Sequence, residues 1–369
     1  MRKIKKLIKN PGVFFRDFLT KKYPIVNCEQ KYSEQDEVYI AQFEKLSWGL
    51  EDNIVRASED IVDVVFTWVD NKDPEWIKKY SQYSNACLEN SVISANDTAR
   101  FENHDEIYYS TYSVRKYLPW VRNIYIITDS QVPKLHKICD NVIIIDHKEI
   151  IDQKYLPTFN SHVIEAHLHK INGLSEDFIY FNDDVFVAKE LSKTHFFRKN
   201  GVASIFPSKK NIEVMINGGF ITPTLYASLN SKEIIKKTFD VEVNTPLVHT
   251  YMSLKKSTFK EVFNENIVEI ESFLSNKFRS KNDINMATYL VPWVMYLKGL
   301  SVATPEICYY FNIRSNHAIS QYEKLINAKN DGLHPHSFCA NDFYSEKQDL
   351  NDYQSRLNQM LEQYFFEEQ

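Results

Sequence analysis

A run of apolar, β-forming residues that ends in three small polar side chains leaves few folds open. In Asp177-Phe178-Ile179-Tyr180-Phe181-Asn182-Asp183-Asp184-Val185-Phe186, residues 178–181 read as a buried strand, with Gly173 and Ser175 supplying the turn before it. Asn182, Asp183 and Asp184 then fall at the strand's C-terminal end, which is where open α/β sheets bind ligands. Two adjacent carboxylates repel one another and are costly to bury unless a cation neutralises them. A hard divalent ion with oxygen ligands, Mg²⁺ or Mn²⁺ carrying a phosphate, meets that requirement. An Asn-Asp-Asp turn that merely caps loop amides would look the same in isolation.

The surrounding pattern supplies a sheet for this strand. Residues 61–70 form a first apolar strand, closed by the turn signal Asp70-Asn71-Lys72-Asp73-Pro74 and followed by a helix opening at Glu75. A helix is expected over 100–120, stopping at Pro119. Buried strands follow over 124–129 and 142–146, and a helix over 161–171 leads into the strand at 177. Four apolar strands, each running into Asp and separated by helices, predict a Rossmann-like α/β sheet with a carboxylate-lined rim. Beyond residue 190 the pattern loosens. A helix is expected over 282–297, a late strand ends at Asn341-Asp342, and an amphipathic helix runs from Ser345 to the end.

Composition narrows the class of protein. Aromatic residues make up 14% of 369 residues and there are only 8 glycines, which excludes disordered and collagen-like chains. The five cysteines are scattered with no CxxC pair, so neither a zinc ribbon nor a disulfide framework is expected. Neither a transmembrane stretch nor a secretory signal is read from the sequence.

Charge is uneven. Residues 1–22 hold eight Lys or Arg against a single acid, Asp17, making this segment +7 and the rest of the chain −12. The acidic remainder argues against nucleic acid as a partner. In the basic segment Ile4, Leu7, Ile8, Val13, Phe14, Phe15, Phe18 and Leu19 are interleaved with the charges. Two short amphipathic helices there would bind an anionic membrane surface, or else dock on the body with a solvated basic face. Residues 23–60 read as a helical connector without legible chemistry.

Several of these stretches, taken in order, resemble the Stealth family. Its members include bacterial capsular polysaccharide phosphotransferases and the catalytic subunit of the lysosomal-enzyme N-acetylglucosamine-1-phosphotransferase. The resemblance is carried by Asp63 to Trp76, by Arg100 with Asp105 to Ser110, and by Leu118 to Asp129. It continues through Leu156 to Ser161, Glu165 and Phe178 to Val185, with weaker matches around His249, Arg279 and Phe338 to Asp342. It spans roughly residues 61–342, which are read as the catalytic domain, with residues 343–369 as a C-terminal helix. Around His249 the family often has Pro two positions on, where this chain has Tyr251.

The resemblance implies a GT-A-type nucleotide-sugar-binding domain, here with helical additions at both ends. It implies transfer of a hexose-1-phosphate, read as N-acetylhexosamine-1-phosphate, from a UDP-sugar donor to a hydroxyl of an oligosaccharide or polysaccharide acceptor, releasing UMP. Asp183 and Asp184 would hold Mg²⁺ or Mn²⁺, with Asn341 as a further ligand and Asn182 beside the substrate. His249 would be the general base, and Arg279 and Arg100 would bind phosphate oxygens by forked hydrogen bonds. Glu165 would be a ligand or a support for one. Asp70 would touch nucleotide or sugar, unless it only caps its turn. His334 and His336, separated by Pro335, are read as acceptor-loop or surface residues. The implied place of work is the cytoplasmic face of a bacterial inner membrane, with capsule-assembly proteins as further partners. Two other readings stay open: a conventional glycosyltransferase releasing UDP, and a non-catalytic sugar-binding or scaffold protein.

Overall fold

The computed structural model describes residues 11, 29–30, 32–54, 61–84, 102–137, 139–219, 222–342, 350 and 352–367. The basic segment 1–22, apart from Pro11, and Arg100 therefore lie outside the described residues.

The apolar strands assemble as their sequences require. β1 (Val62–Thr67) lies at the centre of a five-stranded sheet, flanked in parallel by β2 (Ile124–Thr128) and β4 (Asp177–Asn182). β3 (Val142–Asp146) extends one edge in parallel, and β7 (Met252–Lys255) closes the other antiparallel to β4, giving the order β3-β2-β1-β4-β7. Val62, Val64, Val65, Phe66, Ile124, Ile126, Phe178, Ile179 and Phe181 are fully buried, the signature of strands covered on both faces. β3 is not the buried strand expected: as an edge strand it leaves Ile143 38% exposed.

A buried acid locks the N-terminal ends of the strands in register. The Asp63 carboxylate accepts from Arg122 Nε at 2.9 Å, from the Asn123 amide at 3.1 Å and from the Ser175 amide at 2.8 Å. It thereby ties the starts of β1, β2 and β4 together. Gly173 makes the turn into β4 with φ +78°, and a Cβ there would approach Tyr125 Oη to 3.2 Å, so both conformation and space favour glycine.

Past β4 the chain changes sheet. β5 (Val185–Val187) follows a two-residue turn and pairs antiparallel with β10 (Ser337–Asn341), which pairs in parallel with β9 (Cys308–Asn312). A third, two-stranded parallel sheet joins β6 (Ala203–Ile205) to β8 (Ser301–Ala303). The helix Glu106–Tyr117 is fastened to the second sheet: Ser110 Oγ donates to the Val185 carbonyl, and Ser113 Oγ accepts from the Val187 amide at 3.0 Å. The C-terminal helix Tyr353–Phe365 packs internally through Leu357, Leu361, Tyr364 and Phe365, over a stack in which Phe186 and Phe338 lie 4.8 Å apart.

Three expected helices are shorter or broken. The first runs only over Glu106–Tyr117. Residues 161–171 split into Ser161–Glu165 and a 3₁₀ turn at Leu168–Lys170. Residues 282–297 become a π turn at Met286–Leu290 followed by Val291–Leu297, with Pro292 at the start of the latter.

Candidate active site

Asp183 and Asp184 form the two-residue turn where the chain leaves the large sheet and enters the second. The short β5 pairs at once with β10, and the Ala340 amide donates to the Asp184 carbonyl at 3.0 Å. This pairing brings the end of β10 against the turn. Asn341 Nδ2 donates to Asp184 Oδ2 at 2.9 Å, and Cys339 Sγ lies 3.3 Å from the same oxygen.

The loop before β7 supplies the third side. His249 Nε2 lies 3.7 Å from Asp184 Oδ1, an ion-pair rather than hydrogen-bond distance, and 3.3 Å from Asn182 Nδ2. Asp184 Oδ1 is itself buried without a hydrogen-bond partner. Burial opposes ionisation of Asp184, but His249, Asn341 and Cys339 outweigh it and hold its pKa below the ordinary carboxylate range. Burial likewise disfavours the His249 cation, but the Asp184 charge prevails and raises its pKa above the usual imidazole value.

Two further carboxyls crowd the turn. Burial, reinforced by the Asp184 charge, pushes the Asp183 carboxyl up to about 7. Glu106, at the start of the helix Glu106–Tyr117, is only 5% exposed. It is driven well above its ordinary pKa by burial and then by the charges of Asp183 and Asp184. Its Oε2 accepts the His104 amide at 2.7 Å. The charge of Asp184 thus opposes ionisation of both Asp183 and Glu106, a penalty a bound dication relieves.

A second group of side chains acts electrostatically on Tyr180 of β4. The Tyr180 hydroxyl, hydrogen-bonded to Thr67 Oγ1 at 3.0 Å, has its pKa driven up by burial and then by the charges of Glu165 and Asp183, while Arg279 opposes them. Glu165 is buried at the end of the helix Ser161–Glu165. Arg279 donates to Ser161 Oγ through Nη2 at 2.6 Å and to Thr224 Oγ1 at 3.2 Å, hydroxyl partners that leave its charge uncancelled. The loop carrying Arg279 is built on Asp283, whose buried carboxylate accepts from Asn160 Nδ2 at 2.8 Å, the Ser280 amide at 3.0 Å and Asn276 Nδ2 at 3.0 Å. It also pairs with His162 Nδ1 at 3.0 Å.

Family models for Stealth protein conserved regions 1 and 2 match residues 62–86 and 100–205. The capsular polysaccharide phosphotransferase LcbA of Neisseria meningitidis is 53% identical over 99% of this chain and 100% of its own length. The chain belongs to the Stealth family. The capsular polysaccharide phosphotransferase of Actinobacillus suis is 51% identical over 99% of this chain and 98% of its own. The exopolysaccharide phosphotransferase SCO6021 of Streptomyces coelicolor is 32% identical over 85% of this chain and 57% of its own. Among solved structures, the galactosyltransferase LgtC covers 81% of this chain and 95% of its own at 11% identity. Its TM-score of 0.38 is too low to argue from.

In this Stealth protein the structure brings Asn182, Asp184, His249 and Asn341 directly together, with Asp183 beside Asp184 in the same turn, while Glu165 and Arg279 lie apart from them and act on Tyr180 only through their charges. Asp70 is seen as a turn cap: its Oδ1 accepts the Lys72 amide at 3.0 Å. The carboxylate-lined rim expected from the four strands is narrower than its pattern suggested. Asp129 pairs with Lys79 at 2.8 Å and Asp146 caps the helix His147–Ile150, so of the acids at the strand ends only Asp183 and Asp184, in the turn after β4, join the cluster. His336 is not at the surface as expected, because it is fully buried behind β10. Sequence reasoning passed over Glu106, Tyr180 and Cys339 as site residues. All three lay inside stretches that carried the family resemblance, the one signal that pointed to them.

Proposed function

We propose that this cluster transfers an N-acetylhexosamine-1-phosphate from a UDP-sugar to a sugar hydroxyl, building a phosphodiester-linked capsular polymer and releasing UMP. The chain is a capsular polysaccharide phosphotransferase; the donor, the bond broken and the residue roles are our reading. The observation that carries it is the adjacent pair Asp183 and Asp184 at the turn between β4 and β5, with Asp184 Oδ1 buried, lacking a hydrogen bond and 3.7 Å from His249 Nε2.

Asp183 and Asp184 would hold Mg²⁺ or Mn²⁺, with Asn341 and Glu106 beside them. Bound there, the ion would offset the diphosphate's charge and the charge that builds on the departing UMP. His249 takes the proton of the acceptor hydroxyl as that oxygen attacks the β-phosphorus; the bond to the oxygen shared with UMP breaks and the nucleotide leaves with that oxygen. Arg279, unpaired by any carboxylate in the contacts above, offers its fork to the phosphate oxygens. Asp70 would touch the nucleotide or sugar of the donor, and Arg100 its phosphate oxygens.

Residues 1–22 would hold the enzyme on the anionic inner face of the membrane, with capsule-assembly proteins as further partners. No helix among the described residues is long and apolar enough to cross a membrane.

Phosphorus NMR of the product tests the chemistry. A phosphodiester resonance that grows only with donor, acceptor and Mg²⁺ present supports the reading. A glycosidic product without phosphorus would replace it with a conventional glycosyltransferase.

A further inference from the structure

The misread histidine His336 belongs to a second cluster, away from the Asp183–Asp184 turn. His195, His336 and Glu306 are fully buried, and Glu44, from the helix Glu34–Ile54, is 7% exposed. Two carboxylates and two imidazoles together in the interior are costly unless their charges and hydrogen bonds are matched.

Glu306 is the inner partner of both histidines. Its Oε2 lies 3.0 Å from His195 Nε2 and 3.2 Å from His336 Nδ1, while Oε1 accepts from Tyr251 Oη and Ser337 Oγ, both at 2.8 Å. This fixes both rings and turns their other nitrogens toward Glu44. His336 Nε2 is 3.0 Å from Glu44 Oε2, and His195 Nδ1 is 3.9 Å from Glu44 Oε1. The second distance is too long for a hydrogen bond. One ligand atom from each of Glu44, His195 and His336 can be chosen so that all lie within 4.8 Å of one another. Ligands at about 2.0–2.2 Å from a tetrahedral ion stand roughly 3.3–3.6 Å apart, so a small inward movement would seat one. Histidines held by a carboxylate on the far ring nitrogen are the usual support of a metal site.

We propose that Glu44, His195 and His336 bind a transition-metal dication, zinc by the nature of the donors, with Glu306 as the carboxylate that orients both imidazoles. The ion would clip the helix Glu34–Ile54 to the body of the enzyme. The clip sits directly behind the catalytic loop, since Tyr251 is two residues from His249, and Thr250 Oγ1 meets Ser337 Oγ at 2.7 Å. The competing arrangement is a network of protons alone. There His336 Nδ1 accepts the Ile307 amide, 3.1 Å away, Nε2 donates to Glu44, and Lys189 supplies a nearby positive charge.

The test is the metal content of the full-length protein, purified without metal-affinity resin and dialysed against excess Mg²⁺. The proposal expects about one zinc per chain, retained by Asp184→Asn and lost by Glu44→Gln and His336→Gln. Co²⁺ titration of the zinc-stripped wild-type protein reads the site independently of how the variants fold. Visible absorption of tetrahedral cobalt without a thiolate charge-transfer band supports it. A thiolate band would place the ion at Cys339 beside Asp184 and His249, and overturn the assignment. A wild-type protein that holds no zinc and gives no cobalt spectrum would leave the proton network as the correct description.

Discussion

Replacing Asp283 by Asn should both destabilise the enzyme and slow it. The fully buried carboxylate holds Asn160, His162, Asn276 and Ser280, and so pins the N-terminus of the helix bearing Glu165 to the loop bearing Arg279. Asparagine keeps the volume but turns an NH₂ group toward donors and removes the partner of His162. Leaving such a buried network half satisfied costs about 3–5 kcal/mol. For a chain of 369 residues that is a fall in Tm of about 4–6 °C, measured by scanning calorimetry. Hydrogen bonds and the charge of His162 outweigh burial and hold the Asp283 pKa below the ordinary carboxylate value. A depressed folded pKa means that the stabilisation is present above the unfolded value, about 4, and is lost as pH falls through the folded one. The difference in stability between wild type and Asp283→Asn should therefore be full at pH 6–7 and shrink below about pH 4. A variant within 2 °C of wild type at neutral pH, or a gap that widens in acid, would refute the reasoning.

Three further outcomes are expected. Asp184→Asn should lower turnover by at least about 10³-fold while leaving the circular dichroism spectrum and Tm close to wild type; near-normal turnover would remove the metal assignment. Arg279→Lys keeps the charge but loses the fork, so kcat should fall on the order of 10²-fold in steady-state assays, and an unchanged kcat would take Arg279 out of phosphate binding. Deleting residues 1–22 should lower cosedimentation with anionic vesicles severalfold without much loss of activity on soluble acceptor; undiminished cosedimentation would place membrane binding elsewhere.

The sheet was legible because its central strands are covered on both faces. β1, β2 and β4 are near-continuous buried apolar runs. β3 carries a similar run but lies at the edge, a position that depends on strand order rather than on its own residues. β5 and β10 escaped notice as one sheet because their pairing joins segments far apart in sequence, and β5 is only three residues long. The Asp183–Asp184 pair was visible for its adjacency. Glu106 was not, since an acid in the first turn of a helix is the ordinary complement of the helix dipole, and nothing local shows that it is buried. His336 was read as a surface residue because Pro335 signals an extended loop. That segment is extended, but it leads into β10 beneath the helix Glu34–Ile54, and only tertiary packing buries the ring.

The most direct test of the central claim is the identity of the nucleotide set free. Purified enzyme would be incubated with Mg²⁺, UDP-N-acetylhexosamines and short capsule-like acceptors, and the released nucleotide separated by anion-exchange chromatography. The account predicts UMP, formed in step with product and absent with Asp184→Asn. Release of UDP would mean attack at the anomeric carbon and would contradict it.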